Sequence, residues 1–318
     1  MTLQHAALIA LDWGTSNLRA SLLDAAGQAL ETRGAPGGVM AVKGGAFSQA
    51  LLALCGGWMA QYDCPLIASG MVGSRQGWKE APYMACPTGL SQLARQMVTV
   101  VIEGAPSPTN APQRVLHIVP GLQCVDAQGE FDVMRGEETQ IWGAGLASGS
   151  CCVLPGTHSK WAWLGSGGDI ARFQTFMTGE LYGLLTQHGI LGRLMVFGQD
   201  QREAFVAGVK LGLQGYAQLS HTVFAARTAG LMGSIAPEGL PDYLSGILIG
   251  AEIGGATAGA VPASLGQAIT LIGDDALCAR YALAFEVRGL PVQQATEGST
   301  THGQWMIARA AGLVGSQA

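Results

Sequence analysis

The sequence predicts an α/β protein of two similar lobes facing each other across a cleft, and three observations carry that prediction. Two stretches, Leu8–Asp24 and Cys152–Leu164, share one pattern: an apolar run, a tight glycine–hydroxyl corner and an alternating return. Strand-like runs alternate with helix-like spacing along the rest of the chain. At 318 residues the chain is long for one compact domain, and its 48% apolar content is ample for two cores.

The first copy reads LIALDWGTSNLRASLLD. Leu8–Leu11 is a strand, Asp12–Asn17 a polar corner, and Leu18, Ala20 and Leu22 mark the returning strand. Gly14 lets backbone approach a ligand, and successive N–H groups with the hydroxyls of Thr15 and Ser16 can surround a phosphate oxygen. Asp12 at the mouth suits magnesium, which keeps several waters and takes one or two carboxylates. Arg19 can reach a phosphate or pair with Asp24. The second copy, CVLPGTHSKWAWL, offers Gly156, Thr157, His158 and Ser159 at its corner. Leu154 stands where Asp12 would be, so only the first corner carries a metal ligand. Lys160 either adds charge at the phosphates or lies on a solvated face.

Composition excludes several classes. Charged residues are only 12%, 47 residues are glycine, and the net charge is −5 with no Lys/Arg cluster, so nucleic-acid binding has no electrostatic support. The cysteines at 55, 64, 86, 124, 151, 152 and 278 are odd in number and form no C-x-x-C pair, which reads as buried cytosolic thiols. No two histidines have zinc-ligand spacing. The N-terminus lacks a basic-then-apolar leader, and Leu244–Leu265 carries Glu252, Pro262 and several glycines. It suits a buried helix and loop better than a membrane span. The expectation is a soluble, cytoplasmic protein. Gly143–Gly149 lacks the dinucleotide spacing and follows a helix, and no P-loop or nucleophile-elbow motif occurs.

In chain order, Gly27 and Gly34–Gly38 punctuate short strands. Ala46–Tyr62 has helical spacing interrupted at Gly56-Gly57, and Pro65–Met71 is a short buried strand containing Ser69 and Gly70. The segment Gly73–Tyr83, GSRQGWKEAPY, combines glycines, two cations, an acid and aromatics. Arg75 can fork onto a carboxylate with Trp78 covering a sugar chain, or Arg75 can pair with Glu80 while Trp78 plugs the core. Glu103–Arg114 is a proline-rich connector, and Val115–Val119 is a strand. Met134–Ala147 begins a helix with Glu137 and Glu138 in its first turn, where acids complement the dipole. Helices are further expected at Thr178 onward with Leu181, Leu184 and Leu185 inward, and at Gln201–Leu213, Ser220–Met232, Asp242–Gly254, Asp274–Val287 and Gly303–Leu313. Strands are expected at Ala268–Ile272 and Val292–Ala295. Gly273 ends a strand, where open α/β sheets bind ligands.

The two-hairpin plan resembles the actin, sugar kinase and Hsp70-like ATPase superfamily. The segments ALDWGTSNLRA, ASGMVGSRQGWKEAPY, MRGEETQIWG, LPGTHSKW and TFMTGELYGLL, in this order, resemble the 2-keto-3-deoxygalactonate kinases. The resemblance implies two ribonuclease H-like lobes, residues 1–140 and 141–318, around an ATP cleft. It implies ATP and magnesium as cofactors, with Asp12 as metal ligand. Gly14, Thr15, Ser16, Asn17, Arg19, Gly156, Thr157, His158, Ser159, Lys160 and Gly273 would lie at the nucleotide. It implies Glu138, with Glu137 next, as the base. It assigns Ser69, Arg75, Trp78, Lys79, Tyr83 and Arg135 to a sugar-acid acceptor, whose 6-hydroxyl is phosphorylated. Kinases of other sugars or of the gluconate epimer, and a non-catalytic ATP or sugar sensor, are the competing readings; a homo-oligomer is left open.

Overall fold

The computed structural model describes residues 6–106, 113–258 and 268–315. They fall into two compact units. The first takes Met1–Ser148, Gly165–Arg172 and Thr296–Ala318, and the second takes Gly149–Leu164 and Phe173–Ala295. A single cut at 140/141 therefore differs from the observed division, because the chain twice returns to the first unit.

The first unit is organised on a six-stranded sheet. Its strands are β1 (Ala6–Trp13), β2 (Asn17–Asp24), β3 (Ala29–Pro36), β4 (Leu66–Ser69), β6 (Val98–Val101) and β7 (Val115–Ile118), in the order β3-β2-β1-β4-β7-β6. The hairpin β1–β2 is antiparallel with Asp12 opposite Arg19, whereas β1 runs parallel to β4 with Asp12 beside Ser69. Residues Leu8–Leu11 are buried on both faces, as expected where helices cover both sides of a sheet. Strand β5 (Tyr83–Ala85) joins β8 (Gly121–Val125) and β9 (Phe131–Met134) in a second, three-stranded sheet. Helix α1 (Phe47–Gln61) runs unbroken through Gly56-Gly57 and buries Leu51, Cys55 and Met59; α2 (Leu90–Ala94) is a single short turn.

Helix α3 (Glu137–Gly143) starts three residues later than the sequence reading of Met134, because Met134 closes β9 and Gly136 breaks the chain at φ 109°. Helix α10 (Ser299–Ala310) packs against α3 at glycine distance. A Cβ on Gly303 would fall 1.9 Å from the Thr139 carbonyl oxygen, and one on Gly143 would fall 1.8 Å from that of Ser299. The closing helix thus belongs to the first unit and fixes the helix that carries both acids.

The second unit repeats the plan. Strands β10 (Cys151–Leu154), β11 (Ser159–Leu164), β12 (Ile170–Phe176, of which this unit takes the part from Phe173), β13 (Ile269–Leu271) and β14 (Val292–Gln294) form a sheet in the order β12-β11-β10-β13-β14. Strands β10 and β11 are antiparallel; β13 is parallel to β10 and to β14. In both units the first strand of a hairpin neighbours the next parallel strand, the ribonuclease H-like order. Each unit is therefore one copy of that fold.

Helices α4 (Thr178–Gln187), α5 (Arg202–Gly215), α6 (Leu219–Thr222), α7 (Ala225–Leu231), α8 (Leu240–Ala256) and α9 (Asp275–Arg288) complete the second unit. Part of the unusual glycine content is explained by α5 and α8. A Cβ on Gly208, Gly212 or Gly246 would lie 2.1 Å from a backbone oxygen of the facing helix, so only hydrogen fits. Two expectations are corrected. Leu184 is 46% exposed while Leu181 and Leu185 face the core, and the helix expected over Ser220–Met232 breaks between α6 and α7. The tail of the apolar stretch Leu244–Leu265 and half of the proline-rich connector, residues 107–112, lie outside the described residues.

Candidate active site

A cavity of about 330 Å³ in the first unit is lined by Asp12, Gly14, Thr15, Ser16, Asn17 and Arg19, all residues singled out from the sequence. The corner is held from behind. Gly38 N–H donates to the Ser16 carbonyl at 3.0 Å, Val39 N–H to that of Gly14 at 3.0 Å, and Met40 N–H to that of Thr15 at 3.3 Å. With the carbonyls engaged by the 38–40 segment, the N–H groups of Thr15 and Ser16 have no acceptor among the described residues. That leaves a small nest of donors, which suits an anion. The approach is so close that a Cβ on Gly38 would fall 2.3 Å from the Thr15 carbonyl carbon.

Asp12 is half-buried at the end of β1. Burial raises its pKa above the ordinary carboxylate value, and Arg19 across the hairpin partly offsets this. Among the described residues its carboxylate has neither hydrogen bond nor ion pair. Arg19 does not pair with Asp24, whose carboxylate instead accepts from Ala26 and Gln28 in its own turn. A desolvated, unpaired carboxylate beside free backbone donors fits a hydrated magnesium ion with a phosphate. No cluster of three or more metal-ligating side chains occurs among the described residues, so a magnesium ion would have few protein ligands.

The turn after β4 gathers the remaining groups of this unit. Gly70, at φ 93°, passes so near Asp12 that its Cβ would lie 3.7 Å from Oδ1 and 3.0 Å from the Trp13 carbonyl oxygen. From the other side, a Cβ on Gly136 would lie 3.2 Å from the Gly70 Cα. Gly136 N–H donates to both Glu138 oxygens, at 2.7 and 2.9 Å, and Thr139 Oγ1 donates to one of them at 3.1 Å. Glu138 is wholly buried, and burial with the neighbouring Glu137 charge raises its pKa to about 8. Glu137 is half-buried and accepts from the Arg135 backbone N–H at 2.9 Å.

In the second unit Thr157 and His158 are exposed at the corner, with Gly156 half-buried. The start of α4 is pressed on it: Glu180 N–H donates to the Thr157 carbonyl at 3.0 Å, the Glu180 carboxylate meets the His158 ring, and a Cβ on Gly179 would fall 2.5 Å from the Gly156 carbonyl oxygen. Gly273, at φ 146°, comes close to the Pro155 carbonyl oxygen beside this corner. Ser159 and Lys160 are placed differently from the sequence expectation. Ser159 is fully buried and donates to Glu252, and Lys160 is buried and donates to Thr175, so Lys160 is not on a solvated face. Glu252 was legible only as a lone acid in an apolar run. It accepts from Ser159, Trp161, Thr178 and Tyr281.

The Gly73–Tyr83 segment takes the quieter of its two readings at two positions. Arg75 has an 87% exposed side chain and pairs with Glu80 at 3.1 Å. Trp78 stacks on Phe47 (centroids 5.8 Å apart, interplanar angle 12°) and meets Trp13 edge-on, closing the core of this unit. Lys79 donates to the Thr99 carbonyl, and Ser69 is fully buried, accepting from Gln304 at 2.8 Å. Arg135 is buried over the Tyr83 ring, with its guanidinium carbon 4.2 Å from the ring centre.

Comparison with known proteins agrees with this geometry. The model of the 2-keto-3-deoxy-galactonokinase family matches residues 12–307. A 2-dehydro-3-deoxygalactonokinase of Escherichia coli (strain K12) is 37% identical over 291 residues, covering 89% of this chain and 91% of that one. The crystal structure of a candidate 2-dehydro-3-deoxygalactonokinase from Sinorhizobium meliloti has a TM-score of 0.84 at 32% identity, covering 95% of this chain and 98% of that one. Two ribonuclease H-like units, each with a glycine–hydroxyl corner, and these likenesses define a sugar-acid kinase, a phosphotransferase. The chain belongs to the 2-keto-3-deoxy-galactonokinase family.

Proposed function

We propose that the protein transfers the terminal phosphoryl group of ATP to the 6-hydroxyl of 2-keto-3-deoxygalactonate. The observation that carries the reading is the Gly70 turn, which brings Asp12 and the Glu137–Glu138 pair together beside a corner of free backbone donors. Phosphoryl transfer needs little more of a protein than positioned phosphates, charge stabilisation and a group that orients the attacking hydroxyl.

The N–H groups and hydroxyls of Thr15 and Ser16, with Arg19, would hold the terminal phosphate region. Gly156, Thr157 and His158 would hold the remainder, with Gly273 beside that second corner. Asp12 would hold magnesium through water, and the ion when bound would neutralise charge on the phosphates. Of the two acids, Glu137 is the better base. Burial and the adjacent Glu137 charge raise the Glu138 pKa to about 8, while the less buried Glu137 is the acid that a substrate hydroxyl can reach. The sequence reading ranked them the other way, because exposure is invisible in the string GEET.

The direct test is product identification. Incubation with ATP, magnesium and 2-keto-3-deoxygalactonate should give a monophosphate whose ³¹P–¹H coupling places phosphorus on the C6 oxygen. Phosphorus at any other oxygen, or ADP formed with no phosphorylated acid, would refute it. The gluconate epimer serves as the second acceptor, since one hydroxyl orientation separates the two.

A further inference from the structure

Buried side-chain donors without partners concentrate at one place in the first unit. Arg135 is 8% exposed, and among the described residues neither its Nε nor its Nη1 has an acceptor; Ser74, also 8% exposed, has none there for Oγ. These residues adjoin. A Cβ on Gly73, the residue before Ser74, would fall 3.0 Å from Arg135 Nη1. The remaining guanidinium nitrogen, Nη2, donates to the Ala81 carbonyl at 2.8 Å, and the Tyr83 ring covers the guanidinium face. No carboxylate pairs with Arg135 among the described residues.

A buried cation with two unfilled donors is costly, and an anion would satisfy both. A carboxylate has enough lone pairs to take the two guanidinium donors and the serine hydroxyl together. Of the groups that cover it, Ala81 is buried in the core and Tyr83 is 37% exposed, so the Tyr83 ring is the side from which a ligand would reach the guanidinium. The same turn, Gly70–Ser74, carries Gly70 against Asp12 and Gly136 and Gly73 against Arg135, so one short turn links the guanidinium to the start of the helix that bears Glu137 and Glu138.

The geometry points to Arg135, supported by Ser74, as the anchor of the acceptor's carboxylate, in place of the exposed and paired Arg75. This rests on the sugar-acid kinase reading and adds to it the residue that selects an acid over a neutral sugar.

The test compares 2-keto-3-deoxygalactonate with its neutral analogue bearing a primary alcohol in place of the carboxylate. Kinetics and calorimetric binding are measured for the full chain, Arg135→Met, Arg135→Lys, Ser74→Ala and Arg75→Ala. Arg135→Met should lower kcat/KM and affinity for the acid on the order of 10²-fold, leave the neutral analogue within about threefold, and leave the KM for ATP unchanged. Ser74→Ala removes an unpartnered hydroxyl, so it should fold normally and weaken only the acid, by roughly tenfold. Retained acid preference in Arg135→Met and Ser74→Ala, or its loss in Arg75→Ala alone, would overturn the assignment while leaving the kinase reading intact. Arg135-dependent binding of the acid by a wild-type protein that phosphorylates nothing would uphold the anchor and remove the kinase reading. A wild-type protein that neither binds nor phosphorylates the acid would refute both.

Discussion

Ser159, the first residue of β11, donates its hydroxyl to Glu252 Oε1 at 2.7 Å, so the second corner is tied to the C-terminal part of the buried helix α8. The same carboxylate accepts from Trp161 Nε1 at 2.8 Å and Tyr281 at 2.6 Å, and from Thr178, where α4 begins. Burial raises its pKa, and the hydrogen bonds from the four donors oppose the rise. Glu252→Ala would leave the Trp161 N–H unpaired and free Ser159 and Thr178 at both sides of the corner. Stability should fall by about 3 kcal/mol, and the KM for ATP should rise roughly tenfold with the acceptor KM little changed. Glu252→Gln, whose oxygen can face Trp161 and whose amide can face the rotatable hydroxyls, should recover most of both. Chemical denaturation and two-substrate kinetics measure this, and equal rises in the two KM values would contradict it.

The acid pair makes a pH prediction. The Glu138 pKa is raised from 4.5 to about 8, so between those values the folded state holds a proton that the unfolded state has released. Stability linked to Glu138 is therefore full below pH 4.5 and declines as pH rises through 8. The change is up to about 5 kcal/mol on a linkage estimate. Glu138→Gln should equal wild type in stability at acid pH and exceed it above pH 8. Glu137→Gln should instead lower kcat by ~10²–10⁴. Urea titrations at pH 5 and 9, with kcat at pH 7.5, separate the two. An inactive Glu138→Gln beside a fully active Glu137→Gln would reverse their roles.

Gly38→Ala is predicted to damage a site that it does not line. Its Cβ would fall 2.3 Å from both the carbon and the oxygen of the Thr15 carbonyl, so the corner backbone must shift. The expected result is a rise in the KM for ATP of about tenfold or more, since displacements of this size at positioned groups are costly. Steady-state kinetics showing wild-type nucleotide parameters would contradict the role given to the 38–40 segment.

Much of this was legible in the sequence because it lay in local pattern. The corners at Gly14 and Gly156 were visible as apolar run, glycine, hydroxyls and alternation within about fifteen residues. The paired hairpins then gave the duplicated fold. What depends on contacts distant in sequence was not legible. Ser159 and Ser16 are alike as letters, yet one faces Glu252, 93 positions away, and the other lines the cavity. Arg75 and Arg135 were both named, but only the tertiary structure shows that the first is exposed and paired and the second buried with no carboxylate partner among the described residues. The return of α10 to the first unit rests on Gly143 and Gly303 meeting across 160 positions, which no local pattern encodes.

Asp12→Asn should keep the fold, since the carboxylate has no partner among the described residues to lose, and removal of its desolvated charge should if anything raise stability. Its magnesium requirement should shift upward by about tenfold or more, with chelator abolishing turnover in both proteins. A magnesium titration of initial rate measures this, and an unchanged half-saturation point would remove Asp12 from metal binding.

The most direct measurement is a coupled ADP-release assay with ATP, magnesium and four acceptors: 2-keto-3-deoxygalactonate, its gluconate epimer, and the neutral counterpart of each. The account predicts strong turnover with the galactonate-derived acid and little with the neutral sugars. Turnover confined to neutral sugars would contradict the acid-specific site, and ATP binding without turnover on any acceptor would contradict the kinase itself.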